Sequence, residues 1–237
     1  MSFKTELHAH TREVSPCADL SAEEVADRYI EAGYTSIVIT NHYIQFIFDG
    51  VEGTWNDKVD YYLAPYRKMK EYAKGKLNVL LGCELRFNDN PNDYLILGLT
   101  EQFLYDHPEL YKMTAKTFSE FSKKHGLLFV QAHPFRNGMK ITPPHLLDGI
   151  EVFNGHQGHD SRNAMALAWA KLHGLLFTSG SDFHHPHSLT DAGIFTEAPI
   201  TSMEQLMETL RSGNYTLHCS GPVAERDGMS DRLPSKP

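Results

Sequence analysis

The stretch FKTELHAH, residues 3–10, joins a strand-like run to two histidines separated by one residue. Alternate side chains of an extended chain point to the same side, so His8 and His10 are predicted to face the same way. Two imidazoles placed like this either bind a metal ion or flank a turn. The stretch therefore predicts a first strand whose end carries polar chemistry.

The same arrangement recurs along the chain, because short apolar runs alternate with helical patterns. Predicted strands cover residues 3–8, 36–40, 79–84, 94–98, 127–132, 149–153, 175–179 and 192–195. Predicted helices cover residues 21–33, 59–74, 115–125, 162–173 and 202–213, and most of them are followed by Gly and a strand. This alternation predicts βα units around a parallel sheet, as in a barrel or a doubly wound fold.

Side chains that can bind metals fall at or near the ends of several predicted strands. They are His8, His10, His42, Glu84, His133, Glu151, Asp182 and His184. In a β/α barrel the carboxyl ends of the strands open on one face, so these residues would converge there. Each one alone is typical of an ordinary loop or strand end. Their repetition predicts a metal site.

The types of ligand indicate which metal and which chemistry to expect. Imidazole and carboxylate without thiolate suit Zn, Mn or Fe better than Ca or an iron–sulfur cluster. A carboxylate such as Glu84 can bridge two cations and so lower the pKa of a bridging water, which would attack a phosphoryl group. Arg136 and Arg86 either bind the other phosphate oxygens or form ion pairs on the rim.

Five motifs occur in a fixed order: HAHT (residues 8–11), TNH (40–42), GCE ending at Glu84, AHP (132–134) and SGSDFH (179–184). Together they resemble the PHP (polymerase and histidinol phosphatase) superfamily over about residues 3–195. The resemblance implies a distorted (β/α)7 TIM-like barrel with a metal centre at the C-terminal ends of its strands. It also implies hydrolysis of phosphate esters.

The resemblance further implies two or three divalent ions, of Zn, Mn or Fe. The implied ligands are His8, His10, Glu84 and Asp182 at the first ion, Glu84 and His133 at the second, and His42 and His184 at the third. Glu84 and Asp182 would be the catalytic carboxylates, acting through a hydroxide that bridges the ions. Arg136 and Arg86 would contact the substrate.

Three places depart from the family pattern. Asn41 stands in TNH where the family commonly has an aspartate that supports the metal-binding histidine. Leu95, in DYLILG, stands where the family usually has a further histidine, so the second ion is expected to be weakly bound, completed by water, or absent. The family often has a His or Asp about five residues after HxH, and here Glu13, Ser15 and Cys17 are the alternatives.

Several other polar residues have two interpretations. Glu151 and Asn154 either support the site from behind or, for Glu151, pair with a neighbouring basic side chain. Four further histidines either line the mouth of the site or face solvent: His156, His159, His185 and His187. They are not predicted to be ligands as a group.

The bulk properties narrow the partners and the location. The chain has 237 residues, a net charge of −8 and a pI near 5.9, which disfavours nucleic acid and favours a small phosphorylated substrate. Three scattered cysteines make no disulfide framework, and no leader-like or 18-residue apolar run occurs, so a cytoplasmic protein away from membranes is predicted. One barrel domain is expected over residues 1–219, with a loose tail over 220–237. The oligomeric state is left open.

Four functions are compatible with these patterns. A phosphomonoesterase acting on a small molecule, such as histidinol phosphate, a sugar phosphate or a nucleotide, is favoured by the acidic charge. The alternatives are a phosphodiesterase or 3′ to 5′ exonuclease on short nucleic acids, an amidohydrolase-like enzyme, and a metal-binding module without turnover. Glu84 argues against the amidohydrolase, because a bridging lysine is expected at its position there.

Overall fold

The computed structural model describes residues 2–219. Its strands are β1 (Phe3–Ala9), β2 (Ser36–Ile39), β3 (His42–Tyr43), β4 (Asn78–Leu81), β5 (Cys83–Arg86), β6 (Asp93–Leu97), β7 (Leu128–Gln131), β8 (Gly149–Asn154), β9 (Leu176–Gly180), β10 (Ala192–Thr196) and β11 (Thr216–Cys219). Its α-helices are α1 (Ala22–Glu31), α2 (Gln45–Asp49), α3 (Trp55–Tyr72), α4 (Glu101–Asp106), α5 (Ala115–Lys124), α6 (Asn163–His173) and α7 (Met203–Ser212). Short 3-10 helices lie at Leu110–Lys112 and Pro144–Leu146. The predicted loose tail, 220–237, lies outside the described residues.

Capping chemistry sets where the helices begin. The Ser21 hydroxyl accepts from the backbone N–H of Glu24, whose carboxylate accepts from the backbone N–H of Ser21, so α1 begins as predicted. In α3 the start lies four residues before the predicted one. Thr54 and Asp57 form the same reciprocal box there, and Trp55 is the first helical residue.

Hydrogen bonding joins the strands into two sheets. One has the order β11-β10-β1-β2-β4 and the other the order β3-β5-β6-β7-β8-β9. An isolated bridge between Ala9 and Phe183 connects the end of β1 to the segment after β9. The predicted α/β fold is confirmed, whereas closure into a (β/α)7 barrel stays a prediction.

The predicted strand 79–84 is in fact two strands, β4 and β5, which separate at Gly82 and belong to different sheets. Gly82 packs so closely on its neighbours that an added Cβ would lie 2.8 Å from a methyl carbon of Val38. Glu84 therefore lies within β5 rather than closing the strand before it.

Two strands run against the predicted direction. β6 is antiparallel to β5 and β7, and β10 is antiparallel to β1 and β11. The expectation that all strands present their carboxyl ends to one face is wrong for these two. The reversal pairs Asp93, the first residue of β6, with Arg86, the last residue of β5. Asp93 thereby comes to the edge that carries the polar residues.

A buried apolar cluster lies among the strands. Its members include Leu7, Val38, Leu80, Leu95, Leu97, Leu128 and Val130. Close packing of this kind leaves side chains little freedom, so it provides a rigid base for the strand ends. None of the helices within residues 2–219 is long and apolar enough to cross a membrane.

Candidate metal centre

His8 is fully buried near the end of β1 and is held from behind by Glu151. Its Nδ1–H donates to Glu151 Oε1 at 2.9 Å, which leaves the Nε2 lone pair free. That Nε2 lies 3.3 Å from Glu84 Oε1 and 3.3 Å from Asp182 Oδ1. A carboxylate behind an imidazole is the common support of a metal-binding histidine. Of the two interpretations of Glu151, the structure shows the supporting one.

Gly180, the last residue of β9, makes this arrangement possible. A Cβ added at this glycine would overlap Cβ of His8 and would lie 2.8 Å from Glu151 Oε1. The glycine in SGSDFH is therefore required by the close approach of β9 to the His8–Glu151 pair.

His10 is oriented in a similar way by a serine. The Ser15 hydroxyl lies 3.1 Å from His10 Nδ1 and itself donates to Asn41 Oδ1 at 3.1 Å. The side chain of Asn41 also accepts from the backbone N–H of Thr11 at 2.7 Å. Asn41 therefore acts on His10 through Ser15, and its amide serves as the acceptor that an aspartate would offer. The free Nε2 of His10 faces Glu84 and Asp182, at 3.4 Å from each.

Glu84 is the central residue of the cluster. Its Oε1 lies 3.3 Å from Nε2 of His8 and 3.1 Å from Nε2 of His133. Its Oε2 lies 3.4 Å from Nε2 of His10 and 2.7 Å from Nδ1 of His42. The two oxygens thus face different pairs of imidazoles. A carboxylate in this position can bridge two cations.

His133 and Asp182 have backbone conformations that are rare for residues other than glycine. Their φ angles are 26° and 49°. Such a conformation costs about 1–3 kcal/mol and persists only where surrounding contacts enforce it, most often at functional sites. Glu151 Oε2 supplies one such contact by accepting from the His133 backbone N–H at 2.9 Å, and Asn154 Nδ2 supplies another by donating to Asp182 Oδ2 at 3.2 Å.

The group of Cys17, His42 and His184, here called the Cys17 flank, lies on one side of Glu84. The Nδ1–H of His184 donates to the backbone carbonyl of Asp182 at 2.9 Å, which leaves its Nε2 free. Cys17 Sγ lies 3.2 Å from His42 Nε2, and its thiol is near enough to His184 to interact with that imidazole. Among the three alternatives in this loop, Ser15 turns to His10 and the Glu13 carboxylate to the start of α1, so Cys17 is the one beside His42.

The opposite side of Glu84, here called the His133 flank, comprises His133, Asp93 and Leu95. Leu95 pairs with Glu84 across β5 and β6 and belongs to the buried apolar cluster, so it offers no ligand. Asp93 Oδ2 lies 3.8 Å from His133 Nε2. Leu95 therefore brings an apolar side chain to this side of Glu84, and its departure from the family pattern stays a prediction.

Arg86 and Arg136 meet at Asp93, which the sequence patterns do not single out. Arg86 donates to both Asp93 oxygens, at 2.6 and 2.7 Å, and Nη2 of Arg136 lies 3.4 Å from Oδ2. The Arg86 side chain is 39% exposed and the Arg136 side chain 23% exposed. Both arginines form the ion pair, and their contact with a substrate stays a prediction.

Of the four mouth histidines, His159 comes nearest to the cluster, with Nε2 at 4.0 Å from Asp182 Oδ2. His156 stacks on it with ring centres 4.2 Å apart. His185 instead pairs with Asp19 at 2.8 Å, and His187 stacks on His185. These two therefore belong to the rim.

Glu6 is a further supporting residue that the motifs do not reveal. Its carboxylate is fully buried and accepts from Tyr29 and from Ser181, at the turn that carries Asp182. Burial raises the pKa of Glu6 to about 7. Its spacing of two residues before His8 in β1 is a signal of a shared face, since strand side chains alternate.

The charges of the cluster favour cations. Although burial acts to raise it, the nearby His42 and His8 hold the pKa of Glu84 well below its usual range. Burial likewise opposes ionisation of Asp182, but His8 keeps its pKa well below the ordinary value. Against the effect of burial, Glu84 raises the pKa of His42 to about 10. Buried carboxylates that stay ionised need a compensating positive charge.

The donor atoms fit divalent metal ions. Several buried atoms of the described residues have no hydrogen-bond partner, and they include His8 Nε2, His10 Nε2, His42 Nδ1, Glu84 Oε2 and His133 Nδ1. Buried polar atoms are rarely left without a partner in folded proteins. Candidate ligand atoms lie within 4.8 Å of one another in three sets: His8, His10 and Asp182; His8, Glu84 and His133; His10, His42 and His184. Metal ions beside Glu84 would satisfy the unpartnered atoms of His8, His10 and Glu84, whereas His133 faces Glu84 with its other nitrogen, Nε2.

The fold and the site define a class, namely α/β proteins with a buried cluster of imidazoles and carboxylates suited to several divalent ions. The family described as PHP domain matches residues 6–217, and the chain belongs to that family. No curated protein matches the chain in sequence.

Solved structures share the fold. A two-domain protein from Bacteroides vulgatus, described as containing a predicted PHP-like metal-dependent phosphoesterase, is 20% identical with a TM-score of 0.65. The match covers 92% of this chain and 65% of that protein, so the chain spans about two thirds of its length. PsfC from Pseudomonas syringae is 14% identical with a TM-score of 0.68, covering 93% and 92%. The lesion-specific endonuclease PfuEndoQ from Pyrococcus furiosus is 15% identical with a TM-score of 0.62, covering 92% and 58%.

Proposed function

We propose that the protein is a metal-dependent phosphomonoesterase that acts on a small phosphorylated molecule. The observation that carries the proposal is the position of Glu84, whose two oxygens face different pairs of imidazoles beside Asp182. Bound divalent ions would polarise phosphoryl oxygens and make a water molecule nucleophilic near neutral pH. Glu84, Asp182 and the histidines would hold those ions.

The residues around the ligands would keep this geometry fixed. Glu151 orients His8 and also holds the His133 backbone, while Asn154 links Glu151 to Asp182 through hydrogen bonds of 2.9 and 3.2 Å. Buried networks in which each group has a partner are rigid. Rigid ligands would hold the reacting phosphate and water in one relative orientation, which lowers the entropic part of the barrier.

Arg136 and Arg86 would bind the phosphate oxygens that the metal ions do not contact. Both guanidinium groups are anchored on Asp93, which lies beside His133, and both keep exposed surface. Guanidinium groups have a geometry that suits phosphate. A monoester carries more negative charge on its terminal phosphate than a diester does, so two guanidinium groups beside the ions favour the monoester.

The net charge of −8 supports a small substrate over a long polyanion. A phosphodiester substrate is the second candidate, because the fold is shared with a lesion-specific endonuclease. Substrate identity cannot be carried over from a fold, so it requires direct measurement.

The test is phosphate release from a panel of mono- and diesters by metal-stripped protein that is reloaded separately with Mn, Zn or Fe. Variants Glu84→Gln and Asp182→Asn are compared with Glu120→Gln, which changes an exposed carboxylate on α5. Metal-dependent release that is retained in Glu120→Gln and lost in the other two variants would support the proposal. Faster cleavage of diesters would establish the second candidate. No release from any ester with metal bound would favour amide hydrolysis or a non-catalytic role.

A further inference from the structure

Backbone hydrogen bonds on both sides of Cys17 hold the loop between β1 and α1 next to His42 and His184. The backbone N–H of Asp19 donates to the carbonyl of His184 at 2.8 Å, and that of Ala18 donates to the carbonyl of Ser15 at 2.9 Å. The side-chain hydroxyl of Ser15 accepts from the His42 backbone N–H at 3.1 Å. The loop is thus tied to the segments that carry both histidines, so the thiol position is set by the fold.

Each imidazole of this flank has a ring nitrogen that could bind a metal ion together with the thiol. His184 uses its Nδ1–H on the Asp182 carbonyl, which leaves Nε2 available. The other ring, His42, directs Nδ1 towards Glu84 and Nε2 towards Cys17 Sγ, at 2.7 and 3.2 Å. The thiol therefore lies against the edge of the His42 ring that faces away from Glu84, and it also interacts with His184.

Without the Cys17 sulfur, the Cys17 flank has too few protein ligands for a metal ion. His10 lies close to His42 and His184, but its Nε2 faces Glu84 and Asp182, so it belongs to the first set of ligands. Two imidazoles then remain for an ion on this flank. Zinc sites in proteins usually have at least three protein ligands. Cys17 is placed to be the third.

We propose that Cys17 supplies a thiolate ligand to a metal ion held by His42 and His184, so that this position of the centre is a mixed Cys–His–His site. The proposal rests on the metal centre proposed above, but it concerns one ligand and not the reaction. Thiolate is a soft ligand that selects Zn over Mn or Mg. The site should therefore prefer Zn more strongly than the carboxylate-rich positions around Glu84 do.

Cobalt reports directly on this ligand, because a thiolate bound to Co(II) adds a charge-transfer absorption in the near ultraviolet. The full chain is stripped of metal, titrated with Co(II), and followed by absorbance together with elemental analysis of bound metal. The expected result is a charge-transfer band that Cys17→Ser abolishes, with loss of the cobalt held on this flank. Cys17→His should restore the bound cobalt without restoring the band. Cys219→Ser, which changes a thiol on β11, should leave both unchanged.

A second readout does not depend on cobalt or on turnover. Cys17 is exposed, whereas Cys83 is buried and Cys219 is partly buried. Iodoacetamide labelling, mapped by mass spectrometry, should modify Cys17 in the stripped protein and much less after Zn is added. Labelling of Cys219 should not change with Zn.

Two results would overturn the proposal while leaving the proposed function intact. One is a wild-type protein that binds cobalt and hydrolyses esters without a charge-transfer band. The other is a folded Cys17→Ser variant that keeps both the band and the full metal content. A protein that binds no metal would overturn this proposal and the proposed function together.

Discussion

The two flanks of the metal centre share Glu84 but differ in where the positive charge beside it comes from. On the Cys17 flank, the carboxylate faces His42, with His184 and Cys17 beyond it. On the His133 flank, Leu95 replaces one possible ligand and Asp93 is engaged by two arginines. One side therefore offers ligands for a cation, whereas the other already contains two cationic side chains.

The difference suggests how the proposed centre would bind phosphate although Leu95 offers no ligand. Arg86 and Arg136 bring positive charge next to His133 that no metal needs to supply. A loosely held ion on this flank would be assisted by the guanidinium groups when a phosphate binds. The comparison predicts that metal binding depends mainly on Glu84 and the Cys17 flank, and substrate binding on the His133 flank.

The largest effect is expected from Glu84→Gln, because Glu84 is the residue that both flanks share. The amide removes a negative charge that faces four imidazoles. Turnover should fall by at least about 10²- to 10³-fold, the loss typical of removing a group that stabilises charge in a transition state. Kinetics and elemental analysis check this, with Glu120→Gln as the control. Full metal content in Glu84→Gln would contradict the bridging role.

A smaller loss is expected when the support behind the first ligands is removed. Glu151→Gln keeps the size of the side chain but weakens the hold on His8 Nδ1–H and on the His133 backbone. Changing such a partner behind a ligand typically costs about 10- to 100-fold in metal affinity. Competition with a chromogenic chelator measures the affinity. Unchanged affinity would show that packing alone positions His8.

The sequence predicts the positions of the first ligands better than it predicts the His133 flank. Capping boxes and strand patterns locate most of the helices and strands, and motif spacing brings His8, His10 and Asp182 together correctly. The direction of β6 cannot be read in the same way, since a buried strand has the same apolar pattern whether it runs parallel or antiparallel. Asp93, at the start of β6, is missed for that reason.

The choice among Glu13, Ser15 and Cys17 is another limit of sequence reasoning. All three lie in one loop within a few residues, and local patterns do not say which side chain points inward. The direction is set by distant contacts, such as the hydrogen bond from the Asp19 backbone to the His184 carbonyl. The short strand β11 also escapes prediction, because its residues are half-buried at a sheet edge and lack strong alternation.

Leu95→His would add an imidazole to the His133 flank, where Leu95 offers no ligand. Leu95 lies opposite Glu84 in the β5–β6 pair, so an imidazole there would share its face of the sheet. An additional ligand should tighten binding of the ion on the His133 flank by about 10-fold, which corresponds to about 1.4 kcal/mol. Metal titration measures this, with Leu95→Met as an apolar control of similar volume. Equal affinity in the two variants would show that the position cannot reach the ion.

The smallest effect is expected from replacing Arg136 or Arg86, the two arginines that contact Asp93. Arg86 makes two short hydrogen bonds to Asp93, whereas Arg136 makes one longer contact of 3.4 Å and is freer to turn towards a bound phosphate. Arg136→Ala should therefore raise KM for a monoester by about 5-fold, a loss of about 1 kcal/mol expected for a partly exposed charge pair. Arg86→Ala should raise KM less, because its main contact is Asp93. Steady-state kinetics at saturating metal measure both, with Arg211→Ala on α7 as the control. A KM that Arg136→Ala leaves unchanged would mean that metal ions alone hold the phosphate on this flank.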